Sequence, residues 1–452
     1  MPVTAAMCAA GRVLGEPRLS PDAGRVAFVA AGGGAAALVV VDAAGGPERL
    51  LGVDTVPRSA RPLGGGVHDW LPDGSGLVFV AAAGGLHLQP AEGGPASAVW
   101  APAPGSEVSS PAVSPDGRSV ACAVDEREVV VVDLGRGTSR VVGAGHDFVL
   151  DPNWSPDGRW LAWTAWDAPA MPWDDSQVLL APADGSGPPR PIAGGSGSAA
   201  QQPRFSPDGS VVAVLDDRSG WLNLTLVSLA GGAITALLEP FEHGGPSWGP
   251  GQRAFAWSPD GRSLAVSRNE RGFGRLLRWV PGEEPVNVAR GVHGGLSWRG
   301  DRLAAVRTGG ATPTQVVVYE GEARRTLAVG PVAGFPPAEP ELVAWPGDDG
   351  VEIPGRLHRP TAADDAAVPP PLLVWVHGGP TDQWPVEFRP RFTYWLDRGW
   401  AILVPDHRGS TGHGRAFTQA MAGRWGELDV ADVAAGARAA AAQGWGDPAR
   451  MV

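Results

Sequence analysis

The segment from Val113 to Asp133, VSPDGRSVACAVDEREVVVVD, contains the pattern that decides the fold of most of this chain. It begins with a Ser-Pro-Asp-Gly turn and continues into two runs rich in β-branched residues. Proline sets φ at the start of a turn, aspartate bonds to its own backbone, and glycine supplies positive φ. The segment therefore predicts a tight turn that leads into one β-strand and then a second.

The same turn recurs along the first 300 residues of the chain. Its proline stands at positions 21, 72, 115, 156, 207 and 259, a spacing of 41 to 52 residues, and a weakened copy follows at Ser297–Asp301. Repeats of about 40 to 50 residues that hold several strands each are typical of propeller blades. The repeats predict a seven-bladed β-propeller over roughly residues 10 to 330.

Tryptophan recurs just before the turn, at Trp70, Trp154, Trp257 and Trp298. An aromatic residue at one register of each repeat is most simply a blade-packing residue, and a ligand cage is the alternative. By themselves the repeats support a binding or gating surface.

A second kind of sequence occupies Leu372–Gly414, LLVWVHGGPTDQWPVEFRPRFTYWLDRGWAILVPDHRGSTGHG. Leu372–Val376 and Ala401–Val404 are apolar runs of strand length without alternation, which is typical of strands buried on both faces of a parallel sheet. Val386–Arg398 is predicted to be the helix between them. Each run ends in a polar turn that contains glycine, and reacting groups in open α/β sheets lie beyond such strand ends.

Flanking segments extend this second part. Leu342–Trp345 and Val351–Leu357 predict a β-hairpin, and the Ala-rich Glu427–Gln443, with acidic residues in its first turn, predicts a helix. Met451 and Val452 begin what resembles another strand. We therefore expect a propeller domain over residues 1–334 and an α/β domain over residues 335–452.

Composition excludes several classes of function. The 452 residues carry a formal net charge of −12 with no basic run, which disfavours a nucleic-acid or anionic-membrane partner. The two cysteines, Cys8 and Cys122, are too few for a disulfide framework, and no segment reaches the roughly 20 apolar residues of a membrane helix. We expect a cytoplasmic protein. No HExxH, CxxC, P-loop or GxGxxG pattern is present, so neither a metal nor a nucleotide cofactor is implied.

The parts of the chain follow one another in a recognisable order: a propeller, a hairpin, the HGGP turn, and the segments YWLDRGWAILVPDHRGSTGHGR, WGELDVAD and DPAR. This order resembles the prolyl oligopeptidase family of serine peptidases, most closely its acylaminoacyl peptidase and dipeptidyl aminopeptidase-like branch. This resemblance implies a propeller followed by an α/β-hydrolase domain, and acyl transfer from a peptide substrate to a serine assisted by histidine and aspartate. No acidic pair stands in the context that the true dipeptidyl peptidases use, so that subtype is not expected.

The resemblance also implies roles for residues in both turns. Gly379 matches the family position whose backbone amide donates to the oxyanion, and Gly378 belongs to the same turn. His377 is a candidate catalytic base, but it precedes any possible nucleophile in the sequence, so we expect it to orient the loop by hydrogen bonds. The second turn, with Arg408, Gly409 and Ser410, is expected to be structural. Arg408 either holds the loop through a carboxylate or carbonyl, as we favour, or binds a substrate carboxylate. Asp429 and Asp432 are expected to be structural.

The family's catalytic serine lies on a GxSxG strand-to-helix elbow, which by resemblance would come just after Val452. We therefore expect an incomplete hydrolase domain without its Ser/Asp/His triad, inactive alone, with a truncated sequence favoured over a completing chain. Gly245–Gly249 spells GxSxG but lies among the repeats, outside the strand–helix context. The competing reading is a propeller binding module with a degenerate hydrolase remnant. The sequence does not indicate which peptide bond is preferred or which oligomeric state is formed, and a homo-oligomer is one possibility.

Overall fold

A computed structural model describes residues 3–52, 54–58, 65–231, 235–330, 339–361, 368–379 and 381–452. Within these residues the chain forms eight four-stranded sheets and four helices. Seven sheets are antiparallel and built from consecutive strands, so they are the blades of a β-propeller. The seven-bladed prediction is confirmed.

The strands of the seven blades, in chain order, are β1 Val13–Leu19, β2 Arg25–Gly32, β3 Ala35–Asp42, β4 Arg49–Leu51; β5 His68–Trp70, β6 Gly76–Val80, β7 Leu86–Pro90, β8 Ser97–Trp100; β9 Val108–Val113, β10 Ser119–Val124, β11 Glu128–Asp133, β12 Ser139–Gly143; β13 Phe148–Trp154, β14 Trp160–Trp166, β15 Gln177–Pro182, β16 Arg190–Gly194; β17 Ala200–Phe205, β18 Val211–Asp216, β19 Asn223–Ser228, β20 Thr235–Ala236; β21 Phe255–Trp257, β22 Leu264–Glu270, β23 Phe273–Trp279, β24 Val286–Arg290; and β25 Val292–Arg299, β26 Arg302–Gly309, β27 Thr312–Glu320, β28 Ala323–Val329.

The Ser-Pro-Asp-Gly turn joins the first two strands of a blade through bonds that its own residues supply. In the fourth blade the Ser155 hydroxyl donates to Asp157 Oδ1 (2.6 Å) and accepts from the Trp160 amide (2.9 Å). Gly158 adopts φ +71°, in the left-handed region that favours glycine. The same serine bonds recur at Ser20, Ser114, Ser206 and Ser258.

The recurring tryptophans join neighbouring blades. The indole N–H of Trp70 donates to Arg18 O (3.0 Å), that of Trp154 to Ala112 O (2.9 Å), and that of Trp257 to the equivalent carbonyl of the fifth blade. These bonds confirm the predicted packing between blades for Trp70, Trp154 and Trp257.

The ring closes where the seventh blade meets the first. The Leu19 amide donates to Ser297 Oγ (3.0 Å), and Leu14 and Phe28 share a buried cluster with Val316 and Val318. No strand is exchanged between these two blades, because each takes all four strands from consecutive sequence. Apolar packing and side-chain hydrogen bonds therefore hold the first blade against the seventh.

The eighth sheet belongs to the α/β part and has the order β29-β30-β32-β31. Its strands are β29 Glu341–Pro346, β30 Glu352–His358, β31 Leu372–Val374 and β32 Ala401–Pro405. The first three neighbours in this order pair antiparallel, whereas β31 and β32 run parallel. Arg450–Val452 bonds to the other side of β31, with a parallel bridge between Leu372 and Met451.

Two helices of the α/β part flank this sheet, and two short ones lie outside it. The helices are α1 Ala5–Ala9, α2 Pro390–Leu396, α3 Arg415–Gln419 and α4 Leu428–Ala442. The hairpin, the β32 strand and the α4 helix lie where the sequence predicted them. In the described part of the chain no helix has both the length and the apolar character needed to cross a membrane.

Two predicted elements are shorter than expected. The helix predicted over Val386–Arg398 begins only at Pro390, because the residue before a proline is pushed to extended backbone, and Arg389 has φ −125° and ψ 98°. The strand predicted over Leu372–Val376 ends at Val374, and Val376 is 40% exposed. The β31 strand is not buried on both faces as predicted, because α2 and α4 pack mainly on the part of the sheet formed by β29, β30 and β32.

The expected boundary between residues 334 and 335 falls within 331–338, outside the described residues. Residues near the N-terminus contact the α/β part. The Val3 amide donates to Asp397 Oδ2 (2.8 Å), and Cys8 Sγ lies 3.3 Å from Pro390 O. The chain thus touches the α/β part at both ends of the propeller.

Candidate functional site

The loop after β31 carries the first group of predicted site residues. His377 is buried, whereas Gly378 and Gly379 are exposed. Pro380, the last residue of the HGGP turn, lies outside the described residues. Because β31 and β32 are parallel, their carboxyl ends meet at one edge, and this loop therefore lies beside the loop that follows β32.

His377 ties these two loops together. Its Nε2 lies 2.7 Å from Ser410 Oγ and its Nδ1 lies 2.9 Å from Gly378 O, and its ring stacks on that of His407 with 4.4 Å between centroids. Burial, aided by repulsion from His407, lowers the pKa of His377. Both ring nitrogens face loop atoms, so the ring is placed to orient the loop.

Gly379 presents a free backbone donor. Its φ of +133° lies in the region that favours glycine, and a Cβ there would stand 2.9 Å from the Thr381 amide nitrogen. Among the described residues nothing accepts a hydrogen bond from the Gly379 N–H. An exposed amide fixed at a strand end can stabilise a negative oxygen of a bound group.

Arg408 anchors the second loop through two carboxylates. Its Nε and Nη2 donate to Asp432 (3.0 and 2.7 Å), its amide donates to the same carboxylate (2.9 Å), and Nη1 donates to Asp349 (2.5 Å). Hydrogen bonds with Asp432 raise the pKa of Arg408 above its ordinary value. With its guanidinium engaged in this way, Arg408 joins α4 and the hairpin to the loop.

Gly409 and Ser410 complete this loop in tight surroundings. Gly409 has φ +96°, and a Cβ there would lie 3.0 Å from the Met421 side chain. Ser410 is 0% exposed, and its hydroxyl donates to His407 O (2.7 Å). The Ser410–His377 pair has the spacing of a nucleophile and its base, but a buried hydroxyl offers no approach to a substrate.

Asp406, which the sequence did not single out, is the most highly bonded carboxylate in the region. It makes a two-pronged ion pair with Arg356 (both contacts 2.6 Å) and also accepts from Gln383 Nε2 (2.7 Å), while His413 Nε2 lies 2.7 Å away. Although burial opposes ionisation, Arg356 and His413 hold the pKa of Asp406 well below its usual range. The signal available in the sequence was an aspartate directly after a buried strand.

The propeller contributes a second buried carboxylate to this edge. Glu242, in the connection between the fifth and sixth blades, accepts from the amides of Gly412 (2.8 Å) and Gly414 (3.3 Å). Burial raises the pKa of Glu242 to about 7. The loop after β32 is thus held by a side chain from a distant part of the chain.

Further contacts hold the propeller against both loops. Asn269 Nδ2 donates to Gln383 Oε1 (2.7 Å), and the Trp248 indole donates to Thr381 O (2.6 Å). Trp248 belongs to the Gly245–Gly249 segment that spells GxSxG. That segment contains no strand or helix, so it lacks the elbow geometry of a nucleophile.

Arg415, at the start of α3, makes the densest contact across the interface. It pairs with Asp217 and donates to the carbonyls of Trp173 (3.2 Å), Asp174 (2.8 Å) and Gly197 (2.7 Å). Burial raises the pKa of Asp217. Arg415 therefore connects the α/β part to the turns of the fourth and fifth blades.

Comparisons with known proteins agree with this architecture. The model of the prolyl oligopeptidase family matches residues 386–452. Dipeptidyl-peptidase 5 of Aspergillus fumigatus is 27% identical over 324 residues, which cover 64% of this chain and 43% of that protein. Dipeptidyl-peptidase 5 of Arthroderma otae is 26% identical over 313 residues, or 63% of this chain and 42% of the relative. The match thus spans less than half the length of these relatives.

Two solved structures resemble the whole chain. A puromycin-hydrolysing peptidase of Mycobacterium tuberculosis superposes with a TM-score of 0.89 at 29% identity, over 100% of this chain and 74% of that one. A puromycin hydrolase superposes with a TM-score of 0.86 at 30% identity, over 100% of this chain and 75% of that one. Fold, loop arrangement and sequence similarity agree, and the chain belongs to the prolyl oligopeptidase family of peptidases.

Proposed function

We propose that the protein is a serine-type peptidase that cleaves peptides or N-acylated peptides through an acyl-enzyme, with the Gly379 amide as one donor of its oxyanion hole. The observation that carries the proposal is the N–H of Gly379, an exposed residue in the loop after β31, which donates to no residue that the structure describes. An amide in that position stabilises the negative oxygen of a tetrahedral intermediate at no reorganisation cost. The dipeptidyl-peptidase and puromycin-hydrolase names of the relatives support peptide-like substrates.

The shape of the interface supports a restriction to small peptides. The propeller covers the loops after β31 and β32 through Asn269, Trp248 and Glu242, so a substrate at Gly379 lies between the two parts of the chain. A large folded protein could not reach this edge without separating those contacts. We therefore propose short peptides as the substrate class, with no nucleic-acid partner.

The test of the oxyanion role is Gly379→Ala in the full-length protein, meaning a chain that includes the nucleophile elbow expected after Val452. The substitution strains the turn and displaces the amide, so kcat/KM toward a chromogenic peptide should fall by about 10²–10³ while the protein stays folded. Gly378→Ala is the matched control, because its Cβ would meet nothing within 4 Å and its φ is outside the left-handed region. Equal activity of Gly379→Ala and the wild type would refute the proposal.

We further propose that the 452-residue chain has no peptidase activity by itself. Ser410, the serine nearest to a histidine at this edge, is fully buried and already hydrogen-bonded. A serine-reactive phosphonate should therefore leave the 452-residue chain unlabelled and label the full-length enzyme at a serine outside this segment. Absence of labelling in both proteins would favour the binding-module alternative, and labelling of the short chain would contradict its inactivity.

We assign residues 1–334 to the propeller domain, with its first few residues docked on the α/β part, and residues 335–452 to the hydrolase domain. The free state of Cys8 and Cys122 supports a reducing, cytoplasmic location. A completing chain or a homo-oligomer would be detected by light scattering of the purified protein.

A further inference from the structure

The axis of the propeller contains a cavity of about 600 Å³ that the peptidase proposal does not use. Its mouth is lined by the prolines of the repeated turns, including Pro115, Pro156 and Pro207. The α/β part contacts the opposite ends of the strands, for instance at Asn269 and Asp217. The cavity therefore opens on the propeller face that points away from the α/β part.

Backbone contacts cross the axis at the inner end of this cavity. The Gly65 amide donates to Pro250 O (2.8 Å), and the Gly251 amide donates to Asp151 Oδ1 (2.7 Å). A Cβ on Gly251 would stand 1.8 Å from the Gly66 nitrogen, so these two segments touch directly. These contacts narrow the inner end of the cavity, which we call the axial cup.

Four arginines line the cup, although the chain as a whole has a net charge of −12. They face three carboxylates, and only Arg18 has a carboxylate partner within ion-pair distance, Glu16 at 2.9 Å. The other three arginines, contributed by the fifth, sixth and seventh blades, are Arg204, Arg253 and Arg299. None of these three forms an ion pair with any residue that the structure describes.

The two remaining carboxylates of the cup are occupied by other donors. Asp69 accepts from the Trp70 and Val113 amides, at 3.0 Å each. Asp151 accepts from the Ser110 hydroxyl (2.8 Å) and from the Gly251 amide. Both carboxylates keep their charge and attract Arg204, and Asp69 also attracts Arg299, but neither forms an ion pair with an arginine of the cup. Four arginines and three carboxylates therefore leave the cup with an excess of positive charge.

Several buried hydrogen-bond donors in the cup lack an acceptor among the described residues. Within the described residues Arg253 makes no side-chain hydrogen bond, and its buried Nε, like that of Arg204, has no partner. His68 is 1% exposed and lines the cup, and neither ring nitrogen has a hydrogen-bond partner in the described part of the chain, although Nδ1 lies 3.8 Å from Glu16 Oε2. Native proteins rarely leave buried polar atoms unsatisfied unless an ion, water or ligand satisfies them.

The charges also repel one another. Burial first, and then repulsion from Arg253, lowers the pKa of Arg18 to about 10 and that of Arg204 to about 9. Partial loss of water around the guanidinium, with a contribution from Arg253, lowers the pKa of Arg299 as well, although this side chain is exposed at the mouth of the cup. A negative group in the cup would relieve this repulsion and accept from Arg253 and Arg299. Arg204 already donates to Pro203 O (2.7 Å) and Gln252 O (3.2 Å), so it would bind the group with its remaining N–H groups.

We infer that the axial cup binds a small oxyanion that carries phosphate or carboxylate groups, held by Arg204, Arg253 and Arg299. The volume suits a compact metabolite-sized molecule and not a peptide chain passing through the propeller. This inference is independent of the proposed peptidase function, since it rests on residues of the propeller alone.

The test is calorimetric titration of the full-length protein with pyrophosphate and with citrate at constant ionic strength. We expect saturable binding of one anion per chain. Arg253→Met and Arg299→Met should each weaken the affinity at least about tenfold, because each removes charged donors to the anion. Pyrophosphate binding without citrate binding would identify a phosphate site, the reverse a carboxylate site, and binding of both a general oxyanion site.

Arg290→Met is the matched control, because Arg290 is an exposed arginine on β24 of the same blade as Arg253. It should bind the anion as the wild type does. Arg299 is exposed at the mouth, so its variant remains informative if Arg253→Met fails to fold. The inference is overturned if neither anion binds saturably, or if both cavity variants keep the wild-type affinity.

Discussion

Asp406 shows how a single residue organises the edge between the two parts of the chain. It is fully buried at the end of β32, and its two oxygens are shared among Arg356, Gln383 and His413. Gln383 also accepts from Asn269 of the propeller. One carboxylate thus connects the sheet, the loop after β31 and the sixth blade.

Replacing Asp406 should destabilise the protein because it leaves the buried Arg356 guanidinium without its counter-charge. Asp406→Asn is expected to destabilise the protein by about 3–5 kcal/mol in urea unfolding, since Arg356 is left without its counter-charge. Asp348→Asn is the control, because its ion pair with Arg438 is exposed and should be worth less than about 1 kcal/mol. A small effect of Asp406→Asn would show that water or another group replaces the carboxylate.

Glu242 should make stability depend on pH in a defined window. Its folded pKa of about 7 lies above the ordinary 4.5, so between these values the unfolded chain has lost a proton that the folded protein keeps. Raising the pH through this window therefore lowers the stability, by an amount on the order of 1–3 kcal/mol from this group.

Glu242→Gln should reduce the loss of unfolding free energy between pH 5 and pH 7.5, measured by urea unfolding at both pH values. Glu284→Gln, at an exposed site in the sixth blade, should keep the wild-type slope. An unchanged slope in Glu242→Gln would mean that the amides of Gly412 and Gly414 keep the carboxylate ionised in spite of its burial.

At the scale of elements, the repeated turn illustrates how local chemistry specifies a blade. Serine, aspartate and glycine each satisfy one requirement of the turn, and the strand that follows needs only β-forming residues. The first blade departs from the pattern, because Ala23 takes φ +59° where the other turns have glycine. The fold tolerates this strained position because the neighbouring blades hold the turn in place.

Gly158→Ala should cost about 1–2 kcal/mol through backbone conformation alone. Its φ is +71°, and the new Cβ would lie 3.8 Å from Pro115, an ordinary contact. Gly135→Ala, at a turn glycine outside the left-handed region, should change the unfolding free energy by less than about 0.5 kcal/mol. Equal midpoints for the two variants in thermal unfolding would contradict the conformational explanation.

At the scale of the whole molecule, polar contacts join the propeller to the α/β part. The Arg415 side chain makes four of them and its amide a fifth, to Gly220 O, and Asn269, Trp248 and Glu242 contribute others. These contacts surround the loops that carry Gly379 and Arg408. The geometry of the candidate site therefore depends on how the two parts are held together.

Arg415→Met should loosen this interface, since it leaves Asp217 buried without its partner. We expect destabilisation of about 3 kcal/mol and faster hydrogen exchange in residues 172–176 and 217–221. Arg391→Met, at an exposed arginine on α2, is the control and should leave both unchanged. If hydrogen exchange is unchanged in Arg415→Met, the other contacts hold the interface together without Arg415.

The candidate site could be predicted from the sequence only in part. The loops at 377–379 and 408–410 could be found because each follows an apolar strand and contains glycine, which are local signals. The partners of these loops could not, since Glu242 and Gly412 are 170 residues apart and Asn269 and Gln383 are 114 apart. The ends of β31 and α2 were also misjudged, because apolar character alone does not show where pairing and packing stop.

The sequence by itself determined the seven blades, the α/β part that follows them and the family, because spacing, turn chemistry and strand patterning are properties of neighbouring residues. Only the tertiary structure decided which charges meet. It placed Asp406 on Arg356, Glu242 on the loop after β32, and three arginines around the propeller axis. The reason is physical: the same arginines and carboxylates occur throughout the chain, and ring closure and burial select the few that come together and lose their water.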